Sequence, residues 1–204
     1  MQKIDFRLYL ITDRHLLPPN MLVERVKVLT ECGVKAVQLR EKDLSTRELL
    51  NLAQQIKNNS AKLFINDRAD ITYVANADGL HIPEHGFPVD EARKIVGDKI
   101  IGKSAHSLEA ALRAEEEGAD YVTFGPIYDT QSKRKYGEPF GLDKLKEVTQ
   151  NISISVFAIG GINPERAKDC VDAGASGVGV ISDLLLAENP EFQVSKYLSA
   201  LGSL

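Results

Sequence analysis

The sequence predicts an α/β fold of eight parallel strands closed into a single (β/α)8 TIM barrel, on three observations. Short β-branched or apolar runs alternate with amphipathic segments along the whole chain, and strands that alternate with helices point to parallel βαβ units. About eight such strands are countable, the number that closes a barrel. A local pattern also recurs where helices give way to strands, in Gly33-Val34-Lys35-Ala36-Val37, Gly118-Ala119-Asp120-Tyr121-Val122 and Gly174-Ala175-Ser176-Gly177-Val178. Its first glycine suits the left-handed residue that ends a helix without a Cβ penalty. Asn76-Ala77-Asp78-Gly79 is a looser copy, with Asn in the place of that glycine. An open doubly wound sheet is the alternative architecture.

Taken in order, the strands are predicted at residues 7–11, 35–39, 62–65, 79–82, 99–102, 121–124, 155–159 and 177–181. Between them, residues 22–32, 46–57, 108–117 and 164–173 place apolar side chains three and four apart, the helical period. No linker or low-complexity segment interrupts the pattern, so residues 1–204 are read as one domain. That length is short for a barrel, which typically takes about 250 residues.

The 43% apolar content is ordinary for a folded domain. A net charge of −4 with mixed signs argues against a nucleic-acid binder, which would carry a basic face, but leaves room for local sites for anions. No apolar run approaches the roughly 20 residues that span a bilayer, so no membrane contact is expected. The opening stretch through Arg14 has too short an apolar run for a signal peptide, and a cytoplasmic location is expected. Cys32 and Cys170 form no CxxC pair and no zinc spacing, and are read as buried structural thiols.

Barrel active sites lie at the strand ends. Ile159-Gly160-Gly161-Ile162-Asn163-Pro164 ends the seventh strand and opens a helix, with Asn163 as N-cap and Pro164 in the first turn. Two glycines there leave backbone N–H groups bare for a phosphate, aided by the helix dipole. The eighth strand ends at Val180-Ile181-Ser182, and a phosphate site after the last two strands is a recurrent barrel feature. The other strand ends carry mixed charge. Gln38-Leu39-Arg40-Glu41-Lys42 leaves the second strand, with Gln38 and Arg40 on one side by period-two alternation. Asn66-Asp67-Arg68 leaves the third, Lys103-Ser104-Ala105-His106 the fifth, and the loop from Gly125 through Thr130 to Lys133 the sixth. On one rim these cations and carboxylates suit a pyrophosphate with a metal ion. His81 ends the fourth strand and is expected to face the site, whereas His15 and His85 fall in loops. The loop that carries Lys133, with Gly137 and Pro139, is long enough to close over a substrate.

The motifs QLREK, INDR, ADGLHI, GKSAHS, FGPIYDT and AIGGI, in this order and over nearly the whole chain, resemble the thiamin phosphate synthase and TenI superfamily. That resemblance implies a (β/α)8 barrel and small phosphorylated pyrimidine and thiazole substrates, and it allows a homo-oligomer. In a synthase, Arg40, Lys42, Asn66, Ser104 and Lys133 would hold hydroxymethylpyrimidine pyrophosphate, with Thr130 on the same substrate-facing rim. Asp67 would ligate Mg2+, Gln38 and His81 would lie beside the pyrimidine, and Gly160, Gly161, Val180, Ile181 and Ser182 would surround the thiazole phosphate. Two positions depart from the family patterns. The second metal carboxylate of synthases is Gly86 here, which implies weak or substrate-dependent Mg2+ binding, and Pro83 is closer to TenI. The histidine that thiazole tautomerases carry after the sixth strand's Phe-Gly is Pro126 here, as in synthases. The reading is a synthase-like transferase. The alternatives are a tautomerase in which His81 moves the proton, and a regulatory barrel that binds thiazole phosphate without chemistry.

Overall fold

The structure is a computed structural model that describes residues 4–130 and 138–202. Its strands are β1 (Leu8–Ile11), β2 (Ala36–Leu39), β3 (Lys62–Asn66), β4 (Gly79–Ile82), β5 (Ile100–Ala105), β6 (Tyr121–Phe124), β7 (Ser155–Ile159) and β8 (Gly177–Val180). All pair in parallel and in sequence order. β1 also pairs with β8, Tyr9 opposite Gly179, so the sheet closes and the doubly wound alternative is excluded. Around it run α1 (Leu22–Glu31), α2 (Thr46–Lys57), α3 (Ala69–Val74), α4 (Val89–Val96), α5 (Leu108–Glu116), α6 (Gly141–Asn151), α7 (Pro164–Asp172), the single turn α8 (Ser182–Leu185) and α9 (Pro190–Leu201). Among the described residues no helix is long and apolar enough to cross a membrane.

The recurring junction pattern has one geometry. Gly33, Gly118 and Gly174 adopt φ of 115°, 89° and 96°, and Asn76 adopts 48°. After each, the next N–H reaches back five residues to a helix carbonyl: Val34 to Leu29, Ala119 to Ala114, Ala175 to Cys170 and Ala77 to Thr72. These are Schellman closures of four helices. In two copies the motif's Asp has a further role. Asp78 Oδ2 accepts from Leu63 N and Asp120 Oδ2 from Ile101 N, both at 2.8 Å, so each carboxylate fixes the start of the preceding strand.

The core has two layers, as side chains alternate across each strand. Outward-facing aliphatics pack beneath the helices. Inside the barrel Phe6, Tyr9, Phe64, Tyr121 and Phe157 form an aromatic plug, with Phe6 only 5.1 Å from Phe157 and 5.6 Å from Phe64, centroid to centroid. Strand glycines make room for it. A Cβ on Gly102 would lie 2.0 Å from Tyr121 Cζ, and one on Gly79 2.5 Å from Phe64. The plug fills the N-terminal half of the barrel and so confines the open space to the C-terminal ends.

Two expectations need correction. β5 runs on to Ala105, three residues beyond the predicted end, because Lys103 is buried and continues the ladder against Val122. Cys170 is buried, with its thiol pushed up to about 12 by desolvation, but Cys32 is only half-buried, since it caps the end of α1.

Candidate functional site

At the C-terminal ends of the strands a cavity of about 600 Å³ opens, lined by Thr130, Gly160, Gly161, Ile181 and Ser182 among others. Val180 also borders it, but its side chain packs outward in the helix–sheet layer, so what it presents to the cavity is main chain. Gly160 and Gly161 adopt φ of 93° and 66°. Their backbones also press on the loop after β6, since a Cβ on Gly160 would meet Pro126 Cα at 2.6 Å and one on Gly161 would meet Asp129 O at 2.7 Å. The glycines are thus required twice, by conformation and by close approach. A bulky residue at Gly161 would therefore disturb the loop after β6 itself.

α7 starts behind this loop. Asn163 Oδ1 accepts from Arg166 N at 2.9 Å, and Pro164 occupies the first turn, as predicted. α8 is too short to supply a developed macrodipole, so what it offers an anion is the N–H groups of its own turn. Three residues that support this half of the site escaped the sequence reading. Arg166 Nη1 donates to Gly161 O at 2.6 Å and its guanidinium sits 4.6 Å over the Tyr128 ring. Tyr197, from α9, donates to Asp183 Oδ2 at 2.6 Å and lies 3.0 Å from Ile162 O, so one phenol bridges the loops after β7 and β8. Gln193 donates to the same Asp183 oxygen at 2.6 Å.

The other half of the rim is polar. Gln38 and His81 are almost fully buried and form its floor. Arg40 and Asn66 are half-buried above them, while Lys42 and Asp67 are exposed. Thr12 Oγ accepts from Arg40 N at 3.0 Å and donates to Glu41 Oε1 at 2.6 Å, which anchors the loop after β2. Glu41 is therefore buried as a loop anchor. Asp67 adopts φ of 59° and its N–H donates to His81 O at 2.9 Å. Gly86 stands beside it, where a Cβ would be 3.2 Å from Asp67 Oδ1. Lys103 does not join this group, because its Nζ turns outward to Glu117 Oε2 at 2.7 Å. Lys133 and Gly137 lie outside the described residues.

Below the rim a polar chain crosses the barrel. Gln38 Nε2 donates to Tyr9 Oη at 3.2 Å, Tyr9 and Tyr121 hydroxyls are 2.8 Å apart, and Tyr121 Oη is 3.2 Å from His81 Nδ1. His81 Nε2 is then 2.9 Å from Ser104 Oγ. Burial, reinforced by the Arg40 charge, pushes the imidazole down to about 3, so His81 is neutral near pH 7. Both ring nitrogens are engaged within the chain, and His81 is not among the residues that line the cavity. His106 does border the cavity, with its Nδ1 2.8 Å from Glu84 Oε2. Tyr9 and Tyr121 also escaped the sequence reading, which named His106 only within the segment that leaves β5; the tyrosines lie on β1 and β6, and alternation along β2 or β4 says nothing of them.

The comparisons with known proteins agree with this geometry. The family model described as thiamine monophosphate synthase matches residues 8–184. The thiamine-phosphate synthase of Clostridium novyi is 45% identical over 187 residues, 89% of this chain and 92% of its own. That of Clostridium acetobutylicum is 42% identical, covering 92% of this chain and 91% of its own. The solved thiamine phosphate pyrophosphorylase of Pyrococcus furiosus superposes with a TM-score of 0.87 at 33% identity, over 97% of this chain and 96% of its own. The chain belongs to the thiamine monophosphate synthase family.

Proposed function

We propose that this barrel is a thiamin-phosphate-synthase-like transferase that joins hydroxymethylpyrimidine pyrophosphate to thiazole phosphate with loss of pyrophosphate. The observation that carries the reading is one rim with two unlike halves: a main-chain-lined cavity after β7 and β8, and a polar floor after β2 to β5 with the cations Arg40 and Lys42 at its edge. The first half suits a phosphate monoester held by N–H groups at Gly160, Gly161, Ile181 and Ser182. The second suits a diphosphate leaving group, with Arg40, Lys42, Asn66 and Ser104 as donors, Thr130 at the junction, and Lys133 completing the set. In the reaction the methylene C–O bond to pyrophosphate breaks, its electron pair leaves with the pyrophosphate, and the thiazole nitrogen forms the new bond to the methylene carbon. No proton needs to be removed before attack, so the site works by positioning and by stabilising the charge that grows on the leaving oxygens. Gln38 and His81 form a rigid floor on which the pyrimidine rests.

Asp67 fits a magnesium that arrives with a diphosphate and keeps several waters. It does not fit an all-protein cage, since no group of three or more His, Cys, Asp or Glu gathers among the described residues. A bound magnesium would neutralise diphosphate charge. The residue that departs from the synthase pattern, Gly86, has an ordinary φ, and a side chain there would point at Asp67 and press on the Ile82 methyl at 2.7 Å. The tautomerase reading is weakened because His81 lacks a free ring nitrogen toward the cavity. A cytoplasmic enzyme with free thiols is the setting that fits these substrates.

The deciding assay supplies the purified protein with both substrates, and separately with the thiazole isomer, with and without magnesium. Magnesium-dependent formation of thiamin phosphate is expected, and Gly86→Asp should lower the magnesium concentration needed for it severalfold, with melting as the control for the Ile82 contact. Isomer interconversion without coupling would instead establish the tautomerase, and binding without turnover the regulatory barrel.

A further inference from the structure

The polar chain inside the barrel carries more information than its distances, because its members have a fixed number of protons and nearly all are buried. Tyr9 and Tyr121 are 0% exposed, Thr123 1%, and Gln38 and His81 2%. A buried hydroxyl proton without an acceptor is costly, so each proton must be placed. Gln38 presents its amide nitrogen to Tyr9 Oη, and an NH2 group only donates. The Tyr9 proton then has Tyr121 Oη, 2.8 Å away, as its acceptor. That bond occupies the space between the two phenols, so the Tyr121 proton must go to His81 Nδ1 at 3.2 Å. A neutral imidazole that accepts at Nδ1 carries its hydrogen on Nε2. Nε2–H donates to Ser104 Oγ at 2.9 Å, and Thr123 Oγ1 donates to the same oxygen at 3.3 Å. Ser104 Oγ thus receives two hydrogen bonds from beneath. Its own proton is left to point upward, toward the rim that carries Arg40 and Asn66.

We propose that Tyr121, oriented through Tyr9 by Gln38, is a positioning residue that holds His81 as the Nε2–H tautomer and so fixes Ser104 as a hydrogen-bond donor to an anionic oxygen of the substrate. The chain has only two senses. If the Gln38 amide presented its oxygen, every bond would reverse: Tyr9 would donate to Gln38, Tyr121 to Tyr9, His81 Nδ1–H to Tyr121, and Ser104 to His81. Ser104 would then have spent its proton downward and would repel an anion with its lone pairs. A single amide at the far side of the barrel therefore sets whether the serine greets the substrate as donor or acceptor. The sense is built in before any ligand arrives, which is preorganisation of the kind that electrostatic catalysis needs.

The direct test is the tautomer itself. With nitrogen-15 histidine labelling, and with the exposed His15, His85 and His106 replaced by Gln, the unliganded protein has one imidazole to observe. The expected spectrum has a protonated Nε2 and a bare Nδ1. A protonated Nδ1 would overturn the proposal, and this outcome does not depend on what the enzyme catalyses. Tyr121→Phe keeps the ring that fills the plug and removes only the donor to Nδ1. It should yield a mixed or reversed tautomer, and Tyr9→Phe a mixed one; an unchanged pure Nε2–H state in both would also overturn the assignment. The kinetic arm rests on the synthase reading. A donor that meets charge growing on the leaving pyrophosphate should lower kcat in Tyr121→Phe by about tenfold. KM for thiazole phosphate should hold, because that ligand binds across the rim. A loss confined to KM with kcat intact would count against the role given to Ser104.

Discussion

At the scale of single residues, His81 shows how burial decides what a side chain does. It lies near the C-terminal end of β4, where a catalytic histidine would be expected, yet the aromatic plug beneath it and the hydrogen bonds at both nitrogens leave it neutral and static. Its depressed protonation has a consequence for stability. In the unfolded chain the imidazole takes up a proton below its ordinary value of 6.5, while in the folded protein it resists until about 3. Between those two values the unfolded state binds more protons, so stability is fully present above pH 6.5 and is lost as the pH falls through that window. One such group gives a slope of about 1.4 kcal/mol per pH unit at most. Urea melts of the wild type and of His81→Gln across this range should differ by a slope of that sign. Parallel pH profiles would mean that His81 titrates in the folded protein as it does in the unfolded chain. Asp67 and Gly86 are the other informative pair at this scale: a Cβ at Gly86 would sit 3.2 Å from Asp67 Oδ1 but 2.7 Å from the Ile82 methyl, so any side chain placed there must first displace Ile82.

At the scale of elements, the barrel interior works by pairing large residues with none. Gly102 on β5 faces Tyr121 on β6, and a Cβ there would fall 2.0 Å from the phenol carbon. Gly102→Ala should therefore cost about 1–3 kcal/mol or more, the cost of overpacking, and should lower Tm. It should also disturb the His81 tautomer, since Tyr121 would have to move. An unchanged Tm would mean that the plug is loosely packed. These strand glycines also explain what the sequence could and could not reveal. The strand–helix alternation and the Gly-Ala-Asp junctions were legible because they are local: a helix stop, a left-handed residue and a strand start lie within five positions. The extension of β5 was not, because the residue that prolongs it, Lys103, reads as a loop cation until Glu117 is brought beside it by α5. The same applies to Glu41, a surface charge by sequence and a buried anchor in the fold. Gln38, Asn66, His81 and Ser104 were legible as strand-end residues, whereas the tyrosines that orient two of them lie deeper, on β1 and β6, which the closed ring separates by β7 and β8, and show no polar pattern of their own.

At the scale of the whole molecule, the last helix closes the design. α9 follows β8 and packs along α7, which places Tyr197 against the loops that end β7 and β8. Its hydroxyl donates to Asp183 Oδ2 and approaches Ile162 O, and burial together with the Asp183 carboxylate raises the phenol well above its usual range, so it remains a donor. No sequence motif announces this residue, because the two loops it joins become neighbours only through the pairing of β7 with β8, and α9 reaches them only by packing back along α7. The N–H groups proposed to hold phosphate, at Gly161 and Ser182, lie at the ends of β7 and β8 along the cavity, so their spacing depends on a contact made behind them. Tyr197→Phe keeps the ring in the core and removes the bridge. The lost hydrogen bond to a carboxylate is worth roughly 1.5–3 kcal/mol to the fold, which the barrel should survive. The ligand effect should be a loss of phosphate affinity of about five- to tenfold, as the two loops relax apart. In calorimetric titration with thiazole phosphate, Tyr197→Phe should weaken binding, and Gln193→Ala, which removes only the second donor to Asp183, should weaken it less. If Tyr197→Phe lowers Tm but leaves the titration unchanged, the two loops hold their spacing without α9, and the helix serves stability alone.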